Sequence, residues 1–247
     1  MQAIQKISVV IPAHNEQALI AQCLASVKRA AANIAIPVEI VVCLNACNDD
    51  TGSIAAAMGA VVVEEPERNV ARVRNSAVAA STGDVIVTLD ADSRLSANYL
   101  QQVVGKIRRG CAGGASWMVV DRFTVSTVLF GLLLVMPALL LLRFSGGMFW
   151  LRRDVFDAIG GFDEQYLTGE DFAFWRKLRR YCRNTGQRHG MLHRAFVLTS
   201  ARKLDEFGPW FMLTHPHWYW QAIRGNNRRF ADRYLYHTRR SRQDNKH

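Results

Sequence analysis

Short apolar runs and longer mixed segments take turns along the first ninety positions. ISVVIP (7–12) is an apolar run closed by Pro12 and reads as a buried strand. Residues 14–31 follow with helical spacing at Leu19, Ile20, Cys23, Leu24 and Val27. PVEIVVCLN (37–45) predicts a second strand, 49–59 a capped helix stopped by Gly59, and AVVVEE (60–65) a third strand. A helix over 69–81 and a strand over 84–90 complete the series. Strict β-α alternation of this kind argues a parallel, doubly wound α/β sheet with helices on both faces. Ligands of such sheets sit at the carboxyl ends of the strands. The polar residues at three of those ends are His14, Asn15 and Glu16, then Asn45, then Asp90 and Asp92. All three are expected on one rim.

The second half has a weaker pattern. Residues 96–110 predict a helix and 111–123 a strand with a loop. Residues 146–181 hold a strand, a short helix, a Gly-Gly turn and an amphipathic basic helix. An aromatic-rich segment (208–220) precedes a basic end.

VIVTLDADSR (85–94) carries the first chemistry. An apolar strand stops at two carboxylates, Asp90 and Asp92, separated by Ala91. Neighbouring carboxylates repel unless a cation lies between them. A hard divalent ion, Mg²⁺ or Mn²⁺, binds one or two carboxylates together with substrate phosphates. The alternative is that Asp92 or Ser93 caps the helix that starts near Ser96.

Four further stretches stand in order around that pair: VVIPAHNE (9–16), VVCLNACNDDTGSIA (41–55), NVARVRNSAVAAS (69–81) and GGFDEQYLTGEDFAFWRKL (160–178). Together they resemble the family 2 glycosyltransferases, inverting nucleotide-sugar enzymes of the GT-A fold, over roughly residues 6–205. The resemblance implies one α/β GT-A domain over 1–205, a Rossmann-like, mostly parallel sheet with helices on both faces, with a nucleotide-binding half (1–95) and an acceptor half (96–205), followed by an aromatic and basic segment (206–247). It implies donor contacts at Pro12, Ala13, Asn15, Glu16, Asn45, Arg74, Asp90 and Ala91. The metal would sit at Asp92 and Asp90. The acidic pair Glu170-Asp171 would be catalytic, with Asp171 as the general base; both also suit the first turn of a helix through its dipole. Asn45 stands where many relatives carry an acidic pair, which leaves the nucleobase open. Asp49 matches a later acidic position or caps the next helix. Arg202 holds an acceptor phosphate or is solvated. Trp175 lines the acceptor pocket or is core, and His189 and His193 are third-ligand candidates. Gly225 replaces the Trp of the Gln-x-x-Arg-Trp stretch of polymerising relatives, so one sugar per event is expected.

Charge and cysteine content adjust this picture. The net charge of +10 is concentrated late, with eight Lys/Arg against two Asp from Arg224 to His247. No nucleic-acid motif accompanies it, so no nucleic acid is expected as a partner. Five scattered cysteines without a matching second pair argue reduced cytosolic thiols rather than zinc or disulfides. Residues 124–142 are uncharged and long enough to span a bilayer, whose core is about 30 Å thick. A single span would put Asp90/Asp92 and Asp171 on opposite sides, so the stretch re-enters, lies in the interface or is buried. With the aromatic and basic segment 210–242 it suggests peripheral contact with the inner face of the cytoplasmic membrane and a lipid-linked acceptor. No secretory signal is read at the start. Two other classes stay open. A nucleotidyltransferase would need a Gly-rich loop that PAHNEQ lacks, and a basic lipid- or nucleic-acid-binding module would leave the acidic rim unexplained.

Overall fold

A computed structural model describes residues 3–122 and 148–202, with Leu129, Leu132 and Leu133 between them. The expectations for 124–142 (those leucines aside) and for 206–247 lie outside the described residues.

The alternation in the first half becomes β1 (Ile7–Ala13), α1 (Ile20–Ala31), β2 (Val38–Leu44), α2 (Thr51–Ala57), β3 (Val61–Glu64), α3 (Val70–Ala79) and β4 (Val85–Thr88). Then come β5 (Ser93–Leu95), α4 (Tyr99–Arg108), β6 (Cys111–Val120), β7 (Phe149–Arg152), α5 (Arg153–Ala158), α6 (Glu170–Thr185) and β8 (Arg188–Thr199). The strands form one sheet in the order β3-β2-β1-β4-β7-β6-β8-β5. β3, β2, β1 and β4 are all parallel, with Ile7 opposite both Val38 and Val85. The carboxyl ends of β1, β2 and β4 therefore share one edge, as the alternation predicts.

The period of two in β1 divides the core. Ile7, Val9 and Ile11 face α1 and α4, where Leu24, Val27, Leu100 and Val103 cover them. Val10 faces the other way, into a cluster with Ala71, Ala77 and Phe149 and with Phe174 and Leu178 of α6. Ser8 also faces that way and is buried; its hydroxyl donates to Glu39 Oε1 (2.6 Å). All five cysteines are free thiols.

The sheet is mostly parallel, as the resemblance implies, with β7 antiparallel to β4 and β6 and β5 antiparallel to β8. Two expectations change. β5 and β8 were not predicted as strands. Finally, the helix expected from residue 14 starts at Ile20, because residues 14–19 are a loop bonded to the loop before α2. Among the described residues no helix is long and apolar enough to cross a membrane.

Candidate functional site

The loops after β1 and β2 are stitched together residue by residue. Asn45 N–H donates to Ala13 O (2.8 Å), and His14 Nδ1 donates to Asn45 O (2.6 Å). Asn15 turns at φ +50° and accepts from Asn48 N at 2.9 Å. Ala46 turns at φ +49°, a conformation costly for an alanine. Glu16 N–H donates to Thr51 Oγ1 (2.8 Å), whose hydroxyl donates to Asp49 Oδ1 (2.5 Å). Asp49 also accepts from Thr51 N and Gln17 N. It acts as a brace between two loops at the head of α2, close to the capping alternative. Strain held in place by so many bonds marks a preorganised rim.

Asn45 is buried, and its amide nitrogen donates to the carbonyls of Glu65 (2.7 Å) and Glu67 (2.8 Å). Pro12 is half-buried, while Ala13 and Ala91 are buried. The burial of Ala91 sets the two flanking aspartates in a fixed turn, closed by Ser93 N–H donating to Asp90 O (3.0 Å).

Arg74 organises the centre. It rises from α3, is 3 % exposed, and lies 5.3 Å from the centre of the Phe162 ring. Nη1 donates to Glu170 Oε1 (2.7 Å) and Asp171 Oδ1 (2.8 Å), and Nη2 donates to Asp90 Oδ1 (3.0 Å). Burial would lower its pKa, but Asp171, Asp90 and Glu170 outweigh that and hold it above the ordinary arginine range. Asn75, the next residue, clasps the turn after α5: it accepts from Phe162 N (2.9 Å) and donates to Phe162 O (2.9 Å). Gly161 sits there at φ +59°, and a Cβ on it would lie 2.8 Å from Asn75 Oδ1. The sequence reading missed Phe162 and the clasping role of Asn75. The signal was present in GGFD, whose aromatic directly follows the glycine pair.

The far edge closes through β8. Ser93 pairs with Thr199, Ser200 N–H donates to Asp92 O (3.3 Å), and Arg202 Nη2 donates to Glu16 Oε1 (2.5 Å). Arg202 thus braces Glu16. Trp175 is buried in the core, so the core alternative holds for it. His189 meets Trp175 edge-on near the start of β8, and His193 is exposed midway. Six or more residues at about 3.3 Å each carry both away from Thr199 and the aspartates, so neither fits as a third ligand.

Asp90 Oδ2 meets no hydrogen-bond donor among the described residues, and Asp92 is half-buried beside Ser93. The nearby Cys23 thiol is pushed far above its ordinary pKa by burial, then by the charges of Asp92, Asp90 and Glu16. Asp90, Glu170 and Asp171 share one buried cation, Arg74. The two hard carboxylates of Asp90 and Asp92 in one turn fit a divalent ion completed by substrate phosphates.

The family model described as "Glycosyl transferase family 2" matches residues 8–162. The chain belongs to glycosyltransferase family 2. Among family 2 relatives, the "Probable glycosyltransferase YdaM" of Bacillus subtilis (strain 168) is 28% identical over 195 residues, 68% of this chain and 45% of that protein. The hexosyltransferase Agl6 of low-salt glycan biosynthesis in Haloferax volcanii is 35% identical over 106 residues, 43% of this chain and 25% of its own. The chain thus spans less than half the length of either relative. The structure of S. aureus TarS 1–349 superposes with a TM-score of 0.61 at 18% identity, covering 80% of this chain and 61% of that one. The mannosyltransferase PcManGT of Pyrobaculum calidifontis, solved with GDP-Man and Mn²⁺, gives 0.57 at 19% identity, over 80% and 57%. The fold is GT-A, a mixed α/β sheet with helices on both faces.

Proposed function

We propose that the chain is an inverting glycosyltransferase that moves one sugar from a nucleotide-diphosphate sugar to an acceptor hydroxyl. The observation that carries the reading is the fork of Arg74. It ties Asp90, at the end of β4, to Glu170 and Asp171, at the start of α6. Two motifs about eighty positions apart thereby meet at one point. The donor lies along the rim formed by Pro12, Ala13, Asn15, Glu16, Asn45 and Asp90-Ala91. Its diphosphate faces Asp90 and Asp92, which hold Mg²⁺ or Mn²⁺. When bound, the cation supplies Lewis-acid neutralisation of the leaving diphosphate. TarS has been solved with UDP-GlcNAc and PcManGT with GDP-Man and Mn²⁺, which supports a donor of this class.

Asp171 accepts the proton of the acceptor hydroxyl through a carboxylate oxygen. The acceptor oxygen forms its bond to the anomeric carbon as the bond from that carbon to the phosphate oxygen breaks. The electron pair leaves with the nucleoside diphosphate, and configuration inverts because attack comes from the opposite face. Glu170, buried and paired with Arg74, positions the guanidinium that flanks the base. The reading places the activity in residues 1–205. The segments 124–142 and 210–242 contact the inner face of the cytoplasmic membrane, which suits a lipid-linked acceptor.

Asp171→Asn tests the base. Turnover should fall by about 10²–10⁴-fold, the usual contribution of a general base, while nucleotide binding persists. Nucleotide release from a donor sugar, followed alongside calorimetric binding, separates the two. Retained turnover removes Asp171 from the role.

A further inference from the structure

A cleft of about 930 Å³ runs along the outer face of α6, away from the donor rim. Asp163, Tyr166, Gln187 and His189 are among its lining residues. Arg176, Lys177, Arg179, Arg180 and Arg183 line it as well. The four arginines fall at i, i+3, i+4 and i+7 and are exposed on one side of the helix. The opposite side buries Phe174, Trp175, Leu178 and Cys182.

Packing against the sheet does not require this charge. Like charges at such spacings destabilise a helix by about 0.2–0.5 kcal/mol per pair. Lys177 is tied to Gly161 O (3.2 Å). Among the described residues, no carboxylate forms an ion pair with Arg176, Arg180 or Arg183. Asp163 is the one carboxylate in the lining, and it accepts from Gln165 N. Arg176, Arg180 and Arg183 on one concave surface fit an anion supplied from outside. Guanidinium forks match phosphate oxygens in particular.

The placement narrows the choice of anion. At about 3.6 residues per turn Asp171 lies on the side of α6 that carries Phe174 and Leu178, away from the arginine stripe. From Arg176 to Arg183 the stripe extends about 10 Å. The donor diphosphate belongs to the Asp90/Asp92 edge. A concave cleft also suits an elongated ligand better than a flat lipid surface.

We propose that the cleft along α6 is a binding site for a molecule that carries several phosphate groups in a row, held on the arginine face and separate from the donor.

The probe is fluorescent long-chain inorganic polyphosphate, titrated into the full-length chain and followed by anisotropy. The variant is R176E/R180E/R183E, with R176Q/R180Q/R183Q as the milder form and melting curves to check the fold. Polyphosphate affinity should drop at least about tenfold, or about 1.4 kcal/mol, in the Glu variant. The Gln variant should lie between it and the wild type. Binding should also persist in saturating nucleoside diphosphate and weaken steeply with salt. Unchanged affinity in both variants, or displacement of the probe by nucleotide, overturns the subsite. So does a variant that keeps polyphosphate affinity but loses binding to phosphatidylglycerol vesicles, which would make the face a membrane contact. A wild type that binds polyphosphate on this face but no nucleoside diphosphate sinks the donor reading alone. Nucleotide binding with polyphosphate indifferent to the substitutions sinks the subsite alone.

Discussion

Arg74 is the residue on which the centre turns. One buried guanidinium faces three carboxylates, and removing it takes that cation away from all three in a partly desolvated pocket. Breaking a buried pair typically costs about 3–5 kcal/mol. Asp90 has a side chain 39% exposed and is screened, so the weight falls on Glu170 and Asp171. Arg74→Ala should therefore lower the melting temperature by roughly 10 °C, at about 2–4 °C per kcal/mol for a chain of this size. Arg74→Lys should recover part of that stability but little activity, since a point charge cannot fork to three acceptors. An Arg74→Ala protein that melts like the wild type would show that the cluster does not hold the fold. The sequence marks Arg74 through the Arg-Asn pair and implies a contact to donor base or phosphate. The structure puts both Nη atoms on carboxylates, contacts that only the meeting of α3 with the start of α6 reveals.

Elements of the first half were legible because each strand is a compact apolar run and each helix has a clear stop. β5 is only three residues long, and β8 (RHGMLHRAFVLT) mixes exposed and buried positions without a steady period. What makes β8 a strand is its partner: it pairs with β6 from Cys111 to Val120 through two register shifts. The closest approach is at Gly114, where an added Cβ would lie 1.8 Å from Gly190 O. Gly114→Ala must push β8 away, and overpacking of this kind costs about 1–3 kcal/mol or more. Urea denaturation should show a lower midpoint, and unchanged stability would argue against the pairing. A second tie joins β1, β2 and the turn before β4. Burial would raise the pKa of Glu39, but hydrogen bonds from Lys6, Ser8 and Thr82 overcome it and hold the group at about 2, against an ordinary 4.5. A depressed carboxylate stabilises the fold fully above its unfolded pKa. That contribution, about 1–2 kcal/mol after discounting the solvent-facing Lys6, is lost as pH falls from 4.5 towards 2. Glu39→Gln should flatten the acid limb of a stability–pH curve across that window. A wild-type acid limb in the variant would exclude Glu39 as its source.

For the molecule as a whole, the distribution of charge links the two halves of the proposed reaction. The chain carries a net +10, yet the centre gathers Asp90, Glu170 and Asp171 around one arginine, with Asp92 in the same turn as Asp90. Repulsion within that centre is relieved when a cation and a diphosphate enter together, since neither alone balances the other's charge. Nucleotide and metal should therefore stabilise the fold as a pair. At a ligand concentration about a hundredfold above Kd, binding contributes about 2.7 kcal/mol. For a chain of this length that is roughly 5–10 °C in Tm. The experiment is a melting series with UDP, GDP, dTDP and CDP, each with Mn²⁺, Mg²⁺ or a chelator. One nucleotide should raise Tm with metal, lose most of the rise with chelator, and regain it when Mn²⁺ is restored. Asp92→Asn should abolish the metal-dependent part, because Asp90 already shares one oxygen with Arg74. A nucleotide that stabilises equally with and without metal would leave Asp90 and Asp92 as a turn that closes the end of β4, with donor recognition resting on the stitched loops after β1 and β2 alone.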